Sequence, residues 1–189
     1  MSEPDQADAD RLPRHVVSAL VTDRPGTLNR VAGLLRARSF NIESLTVGRT
    51  HQPGLSRMTV IIRGDDAHTT QVLAQLERLV EVVDVSDLTD APRLELELAL
   101  VELEPPRNPE TRAAVERAMQ VGGGELLAEA AGSWRLRLTA PPDDVEAALA
   151  ALRGRGLRSL VRAGSVAMTL ESPAPQAPSA PQIEIGGSV

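Results

Sequence analysis

The sequence predicts an α+β chain of two small units, each with the element order β-α-β-β-α-β, from three observations. Short apolar runs of strand length alternate with stretches whose apolar residues recur at helical spacing. That succession of strand, helix, strand, strand, helix, strand is met twice. A turn-rich break, Thr89-Asp90-Ala91-Pro92, separates the two. At 189 residues there is room for one ordinary domain or two small ones, and the repeated pattern decides for two. Each unit is expected to carry its helices on one face of a sheet, the split βαβ or ferredoxin-like plan.

Residues 1–13 are acidic, contain proline and lack an apolar period, which predicts a disordered arm. The first unit spans residues 14–90. It opens with HVVSALVT at 15–22, a short apolar run that fits a buried strand. Leu28, Val31, Ala32 and Leu35 then fall at i, i+3, i+4 and i+7, opposite Asn29, Arg30, Arg36 and Arg38, so this segment is a helix with one packed side. SLTVGRT at 44–50 and the β-branched SRMTVIIRG at 56–64 read as a hairpin across an HQPG loop. Asp65 or Asp66 caps a second helix on which Thr69, Val72, Leu73, Leu76 and Val80 share a side, and VVDVSDL at 82–88 closes the unit as a strand.

The second unit spans residues 93–171. Leu94, Leu96, Leu98 and Leu100 alternate with Glu95, Glu97 and Ala99, a strand with one apolar face. Glu95, Glu97, Glu102 and Glu104 are expected as a solvated acidic comb ahead of any acid/base pair. Asn108 is placed to cap the next helix, with Pro109 in its first turn and Ala114, Val115 and Ala118 aligned inward. GGGELLAEA and SWRLRLTA form a hairpin joined near Ala131-Gly132. PPDDVEAALAALRGRG is a helix with Val145, Ala148, Leu149 and Leu152 inward, and LRSLVRAGSVAMTL is a last strand bent at Gly164. Residues 172–189 read as a proline-rich disordered tail.

Composition removes several function classes. A net charge of −6 disfavours nonspecific nucleic-acid binding, and the only aromatics, Phe40 and Trp134, leave no stacking platform for single-stranded RNA. With no cysteine there is no disulfide, thiolate nucleophile or thiolate metal site. The acidic, polar N-terminus lacks export character and no run is long enough to cross a bilayer, so a cytoplasmic protein with no membrane role is expected. His15, His51 and His68 are scattered without metal-ligand spacing, and Trp134 is expected to pack. There is no glycine-rich phosphate loop and no nucleophile beside a base, so no catalytic residue and no cofactor are assigned to this chain.

One stretch does carry a candidate site. Asp23-Arg24-Pro25-Gly26 leads from the first strand into a helix opening at Thr27 or Leu28. Glycine lets the backbone come close to a ligand, and a helix start offers unpaired N–H groups that suit a carboxylate. Asp23 and Asn41, at two strand ends, are expected to approach the same space and to serve an ammonium group. A carboxylate beside an ammonium is what a free amino acid presents. The same residues also fit a plain strand-to-helix turn with a capping Asp, and turn chemistry alone leaves both readings open.

DRPGTL at 23–28, FNIESLTV at 40–47 and LSRMT at 55–59 closely resemble the N-terminal ACT domain of acetolactate synthase (acetohydroxyacid synthase) small subunits. The D-x-P-G turn is common to many ACT domains; NIESL and SRMT at this spacing are the specific part. The resemblance covers residues 14–90, and more loosely 93–170, where ELALVEL and AGSVAMTL resemble the family's second domain. It implies a non-catalytic regulatory subunit that activates a large catalytic subunit and confers feedback inhibition by branched-chain amino acids. Thiamine diphosphate, magnesium and FAD then belong to that partner.

The effector implied is valine, with leucine and isoleucine as alternatives, held where two ACT domains of a homodimer meet. Carried onto this sequence, the contacts are Asp23, Gly26, Thr27 and Leu28, with Asn41 and Ile42 facing them from the partner domain. N–H groups at residues 26–28 hold the carboxylate, Asp23 or Asn41 takes the ammonium, and Leu28 and Ile42 favour an aliphatic side chain. Family members often have asparagine where this chain has Asp23, whose charge favours an ammonium and repels a carboxylate unless a neighbour such as Arg24 pairs with it. The second unit has no glycine in Pro105-Pro106-Arg107-Asn108-Pro109, so it is expected to pack and dimerise without a second effector site. The large subunit is expected on the helical face of the first unit and its SRMT hairpin. Two other classes stay open: a freestanding amino-acid-sensing ACT regulator, and an acyl-phosphate hydrolase using Asn41 and the arginines.

Overall fold

The computed structural model describes residues 12–37, 41–130 and 132–170; the expected tail at 172–189 and residues 1–11 of the expected arm lie outside them. The first unit comprises β1 (Arg14–Thr22), α1 (Thr27–Ala37), β2 (Asn41–Arg49), β3 (Leu55–Arg63), α2 (Asp66–Leu76) and β4 (Val82–Asp87). The second comprises β5 (Arg93–Leu103), α3 (Pro109–Val121), β6 (Glu125–Ala130), β7 (Ser133–Ala140), α4 (Pro142–Leu152) and β8 (Leu157–Thr169). Strand orders are β2-β3-β1-β4 and β6-β7-β5-β8, every neighbouring pair antiparallel. The plan expected from the pattern is present twice.

Period two in the strands and period 3.6 in the helices build each core. In the first unit Val17, Ala19 and Val21 of β1 and Met58, Val60 and Ile62 of β3 meet Val31 and Leu35 of α1 and Val72 and Leu76 of α2. The helical stripes differ from expectation at their ends. Leu28 is 47 % exposed at the open start of α1, while Leu34 packs. Val80 is exposed because α2 stops at Leu76: the turn bonds Leu79 N–H to Leu76 O and Val82 N–H to Leu79 O carry the chain out of the helical period.

In the second unit Ala99, Val101 and Leu103 of β5 pack with Leu136 and Leu138 of β7 against Val115 and Ala118 of α3 and Val145, Ala148, Leu149 and Leu152 of α4. Asn108 caps α3 as expected, its side chain accepting from Thr111 N–H at 2.8 Å, with Pro109 in the first turn. Trp134 is a packing residue: it is buried, its Nε1–H donates to Glu129 at 2.9 Å, and the Arg112 guanidinium lies 4.9 Å from its ring centre.

β5 inverts one expectation. The leucines at 94, 96, 98 and 100 face outward, whereas Glu97 is 5 % exposed and the Glu95 side chain 9 %. The cause is parity. Ala99, Val101 and Leu103 lie under the helices, and strand geometry then forces Glu95 and Glu97 onto that same side and the leucines onto the other. Beyond the helices, the inward side of β5 and β8 meets the first unit.

There the edge strand β8 lies against the helix-free face of the first sheet. Unpaired edge groups need partners, and hydroxyls supply them. Ser165 N–H donates to Ser44 Oγ (3.2 Å), Thr46 Oγ1 donates to Ser165 O (2.5 Å), and Ala167 N–H donates to Thr59 Oγ1 (3.3 Å). Val16, Ile61, Leu88 and Ala167 form an apolar plug beside them. The close approach depends on Gly164, at φ +78°, where the β5–β8 register slips: a Cβ there would overlap Ser44 Oγ.

Candidate effector site

The turn after β1 is held by its surroundings. Asp23 N–H donates to Gly54 O at 2.7 Å and Thr22 N–H to Glu81 O at 2.8 Å, tying the turn to the HQPG loop and to the start of β4. Gly26 has φ +91° with open space around it, so glycine is needed there for backbone conformation. α1 opens with the bond from Arg30 N–H to Gly26 O (3.1 Å). Of the three N–H groups expected to hold a carboxylate, that of Thr27 is engaged with Arg24 O (3.2 Å), while those of Gly26 and Leu28 meet no carbonyl among the described residues. The Thr27 side chain is buried with its Oγ1 unpartnered. A helix start with exposed Gly26 and Leu28 is therefore an anion seat open to solvent.

Asp23 is paired, but with Arg49 and not with Arg24. Arg49, the last residue of β2, donates from Nε to Asp23 Oδ2 at 2.9 Å. The pair carries no net charge, so the carboxylate of a ligand is not repelled as strongly as a bare Asp23 would repel it.

Asn41 and Ile42 are not brought to this turn within one chain. Asn41 opens β2 opposite Arg63, which in turn faces Arg14, whereas the turn follows Thr22 opposite Leu55. Eight strand steps separate the two ends of the sheet, on the order of 25 Å. The physical reason is the crossover: a strand, a returning helix and a parallel strand put the end of the first strand and the start of the second at opposite ends of the sheet. Ile42 packs toward the first core. The SRMT segment forms the expected hairpin with β2. It lies in the central strand β3, with Ser56, Met58 and Thr59 buried and Arg57 donating to Ser18 Oγ at 2.9 Å.

Sequence reasoning missed the charged seam between the units. Arg14 is paired with Glu95 and lies 3.6 Å from Glu43, which also accepts from Arg63 (2.6 Å). Arg162 is paired with Glu97 and reaches Glu146 at 3.0 Å. Burial pushes the Glu95 carboxyl up, but the hydrogen bond and charge of Arg14 outweigh it and hold the carboxyl below its ordinary value. The hydrogen bonds that Arg162 donates to Glu97, outweighing burial, raise the Arg162 pKa. Arg14, Glu43, Arg63, Glu97, Glu146 and Arg162 line a cleft of about 750 Å³ beside the start of α4. Each arginine there already has a carboxylate, which makes the cleft a seam and not an anion cradle.

The fold defines a protein of two tandem ACT-type units. A family model described as the AHAS small subunit-like ACT domain matches residues 17–84, and one described as the small subunit of acetolactate synthase matches residues 96–171. The chain is 39 % identical to a probable acetolactate synthase small subunit of Archaeoglobus fulgidus, over 82 % of this chain and 96 % of that one. It is 36 % identical to the small subunit of Aquifex aeolicus, over 84 % and 82 %. The crystal structure of the small subunit from Thermotoga maritima superposes with a TM-score of 0.72 at 32 % identity, covering 84 % of this chain and 98 % of that one. This chain belongs to the acetolactate synthase small-subunit family. Among the described residues no helix is long and apolar enough to cross a membrane.

Proposed function

We propose that this chain is the regulatory subunit of acetolactate synthase in branched-chain amino acid synthesis. It activates the catalytic subunit, which carries the thiamine diphosphate, magnesium and FAD, and mediates feedback inhibition by valine, bound where two ACT units meet. The observation that carries this reading is the placement of β2. It is an edge strand; Arg49 at its end holds Asp23 of the turn, and Asn41 stands at its start. Two copies pairing antiparallel along β2 cover that edge and carry Asn41 and Ile42 of one copy to the Asp23–Leu28 turn of the other, twice by symmetry. The N–H groups of Gly26 and Leu28 then take the carboxylate of valine, and Asp23 with Asn41 takes its ammonium.

Inhibition follows from linkage: valine binds the arrangement with low activity more tightly, and that difference in affinity is the largest shift it can cause. In the enzyme reconstituted from both subunits, Asn41→Ala is expected to abolish valine inhibition and leave activation by the small subunit largely intact. Inhibition unchanged at the same valine concentration would remove this site. Calorimetric titration of the isolated chain with valine, leucine and isoleucine ranks the three effectors.

A further inference from the structure

We propose that Arg49, which lies outside every residue the sequence marked for the site, determines its specificity: by masking the charge of Asp23 it makes the turn accept a zwitterion in preference to an amine without a carboxylate. This inference rests on the reading of residues 23–28 as the effector seat and deepens it. Arg49 donates from Nε to Asp23 Oδ2 at 2.9 Å, and among the described residues nothing donates to Oδ1 of the same carboxylate. The backbone brings the two together. Arg49 faces Ser56 of β3 and Ser56 faces Val21 of β1. Arg49 therefore stands two strand spacings, roughly 10 Å, from the first strand, a gap its long side chain leans across. Val21 belongs to the first core and paired residues share a face, so Arg49 projects on the helix-bearing side, where α1 begins. The hairpin loop fixes both ends of the reach: Thr50 N–H donates to Leu55 O at 3.0 Å, and Gly54 O accepts from Asp23 N–H at 2.7 Å.

The pair does little for stability. The Arg49 side chain is 86 % exposed and that of Asp23 38 %, and in water the gain of such a pair is offset by the entropy of holding a long side chain. Its effect falls on the chemistry of the turn. Asp23 stands just before Gly26, whose N–H, with that of Leu28, is left for a ligand carboxylate. A bare Asp23 attracts any ammonium and repels any carboxylate seated there. Arg24, its neighbour in sequence, is exposed and not paired with it. With Arg49 on one oxygen the repulsion is cancelled, while the second oxygen still accepts from an ammonium. An acceptor of masked charge at one end and N–H donors at the other match both ends of an amino acid. Without Arg49 the turn matches a bare amine instead. Arg49 acts through Asp23 and is therefore a positioning residue.

The test titrates the full chain calorimetrically with valine and with isobutylamine, which is valine without its carboxylate. For Arg49→Ala the valine Kd is expected to rise about tenfold while the amine Kd holds or falls, so the preference for valine drops by about tenfold or more. Asp23→Asn added to Arg49→Ala removes the charge that Arg49 had masked, and should bring the valine Kd back to within about threefold of wild type. Arg49→Lys keeps a cation at the position and should retain most of the preference. Because the pair is exposed, all these variants are expected to share the wild-type unfolding midpoint. A merely structural role would weaken both ligands alike. An unchanged preference in Arg49→Ala overturns the proposal. So does a loss that Asp23→Asn fails to restore, which would mean that Arg49 touches the ligand carboxylate itself. A wild-type chain that binds no valine overturns the effector reading and this proposal with it, whereas valine bound equally by wild type and Arg49→Ala overturns the role of Arg49 alone.

Discussion

The two units share one topology and use their helix-free sheet faces in opposite ways. In the first sheet that face is studded with hydroxyls, and the edge of β8 lies on it, its backbone groups bonded by Ser44, Thr46 and Thr59. In the second, the equivalent face shows a leucine row to solvent, while the carboxylates of the same strand turn inward to Arg14, Arg93 and Arg162. The difference shows that a face of this fold is defined by what lies against it. A strand edge needs hydrogen-bonding groups and therefore polar cover, whereas a flat face with no backbone groups to satisfy can be apolar. Glu95 and Glu97 stay buried because each has an arginine aimed at it from the adjoining structure.

The largest expected effect breaks the covered face. Gly164→Val places a Cβ into Ser44 Oγ and close to Thr46 Cγ2, at a φ that L side chains avoid. A loss of roughly 3–5 kcal/mol in denaturant unfolding is expected, from overpacking and backbone strain together. Ser44→Gly added to it should return the steric part only. An unfolding midpoint equal to wild type would mean that the two units are not joined at this bulge.

Next in size is Glu97→Ala. It removes the buried partner of Arg162, leaving that guanidinium with Glu146 alone, and should cost about 1–3 kcal/mol. A Leu94→Ala change on the same strand, measured in chain too dilute to self-associate, should cost under about 0.5 kcal/mol. The usual ranking of leucine above glutamate is thus reversed along β5, and equal costs would contradict the inverted parity.

The smallest effect is a pH dependence located in the seam. Glu95 has its carboxyl pKa held below the ordinary 4.5 by Arg14, against the opposing pull of burial. A depressed folded pKa contributes stability above the unfolded value and loses it as pH falls through the folded one. Wild type should therefore lose stability relative to Glu95→Gln from about pH 4.5 downward, read as converging unfolding midpoints. Midpoints that stay parallel through that range would place Glu95 outside the pairing.

Much of this was legible in the chain, because local chemistry and period are sequence properties. The order of the twelve elements among the described residues follows from alternating apolar residues and helical spacing. The Asn108 cap, the glycine of the turn between β1 and α1 and the inward stripe of α4 need only nearest neighbours to be read. What tertiary structure decided were choices between equivalents. β5 has apolar residues in both of its rows, LELELALVEL, and only the position of α3 and α4 over Ala99, Val101 and Leu103 selects which row is core. In the same way residue types marked Asp23 and Asn41 as site candidates, but the crossover helix sets them at opposite ends of the sheet. Side-chain chemistry is written residue by residue, whereas facing and distance depend on which element packs against which, and that information is spread over the whole fold.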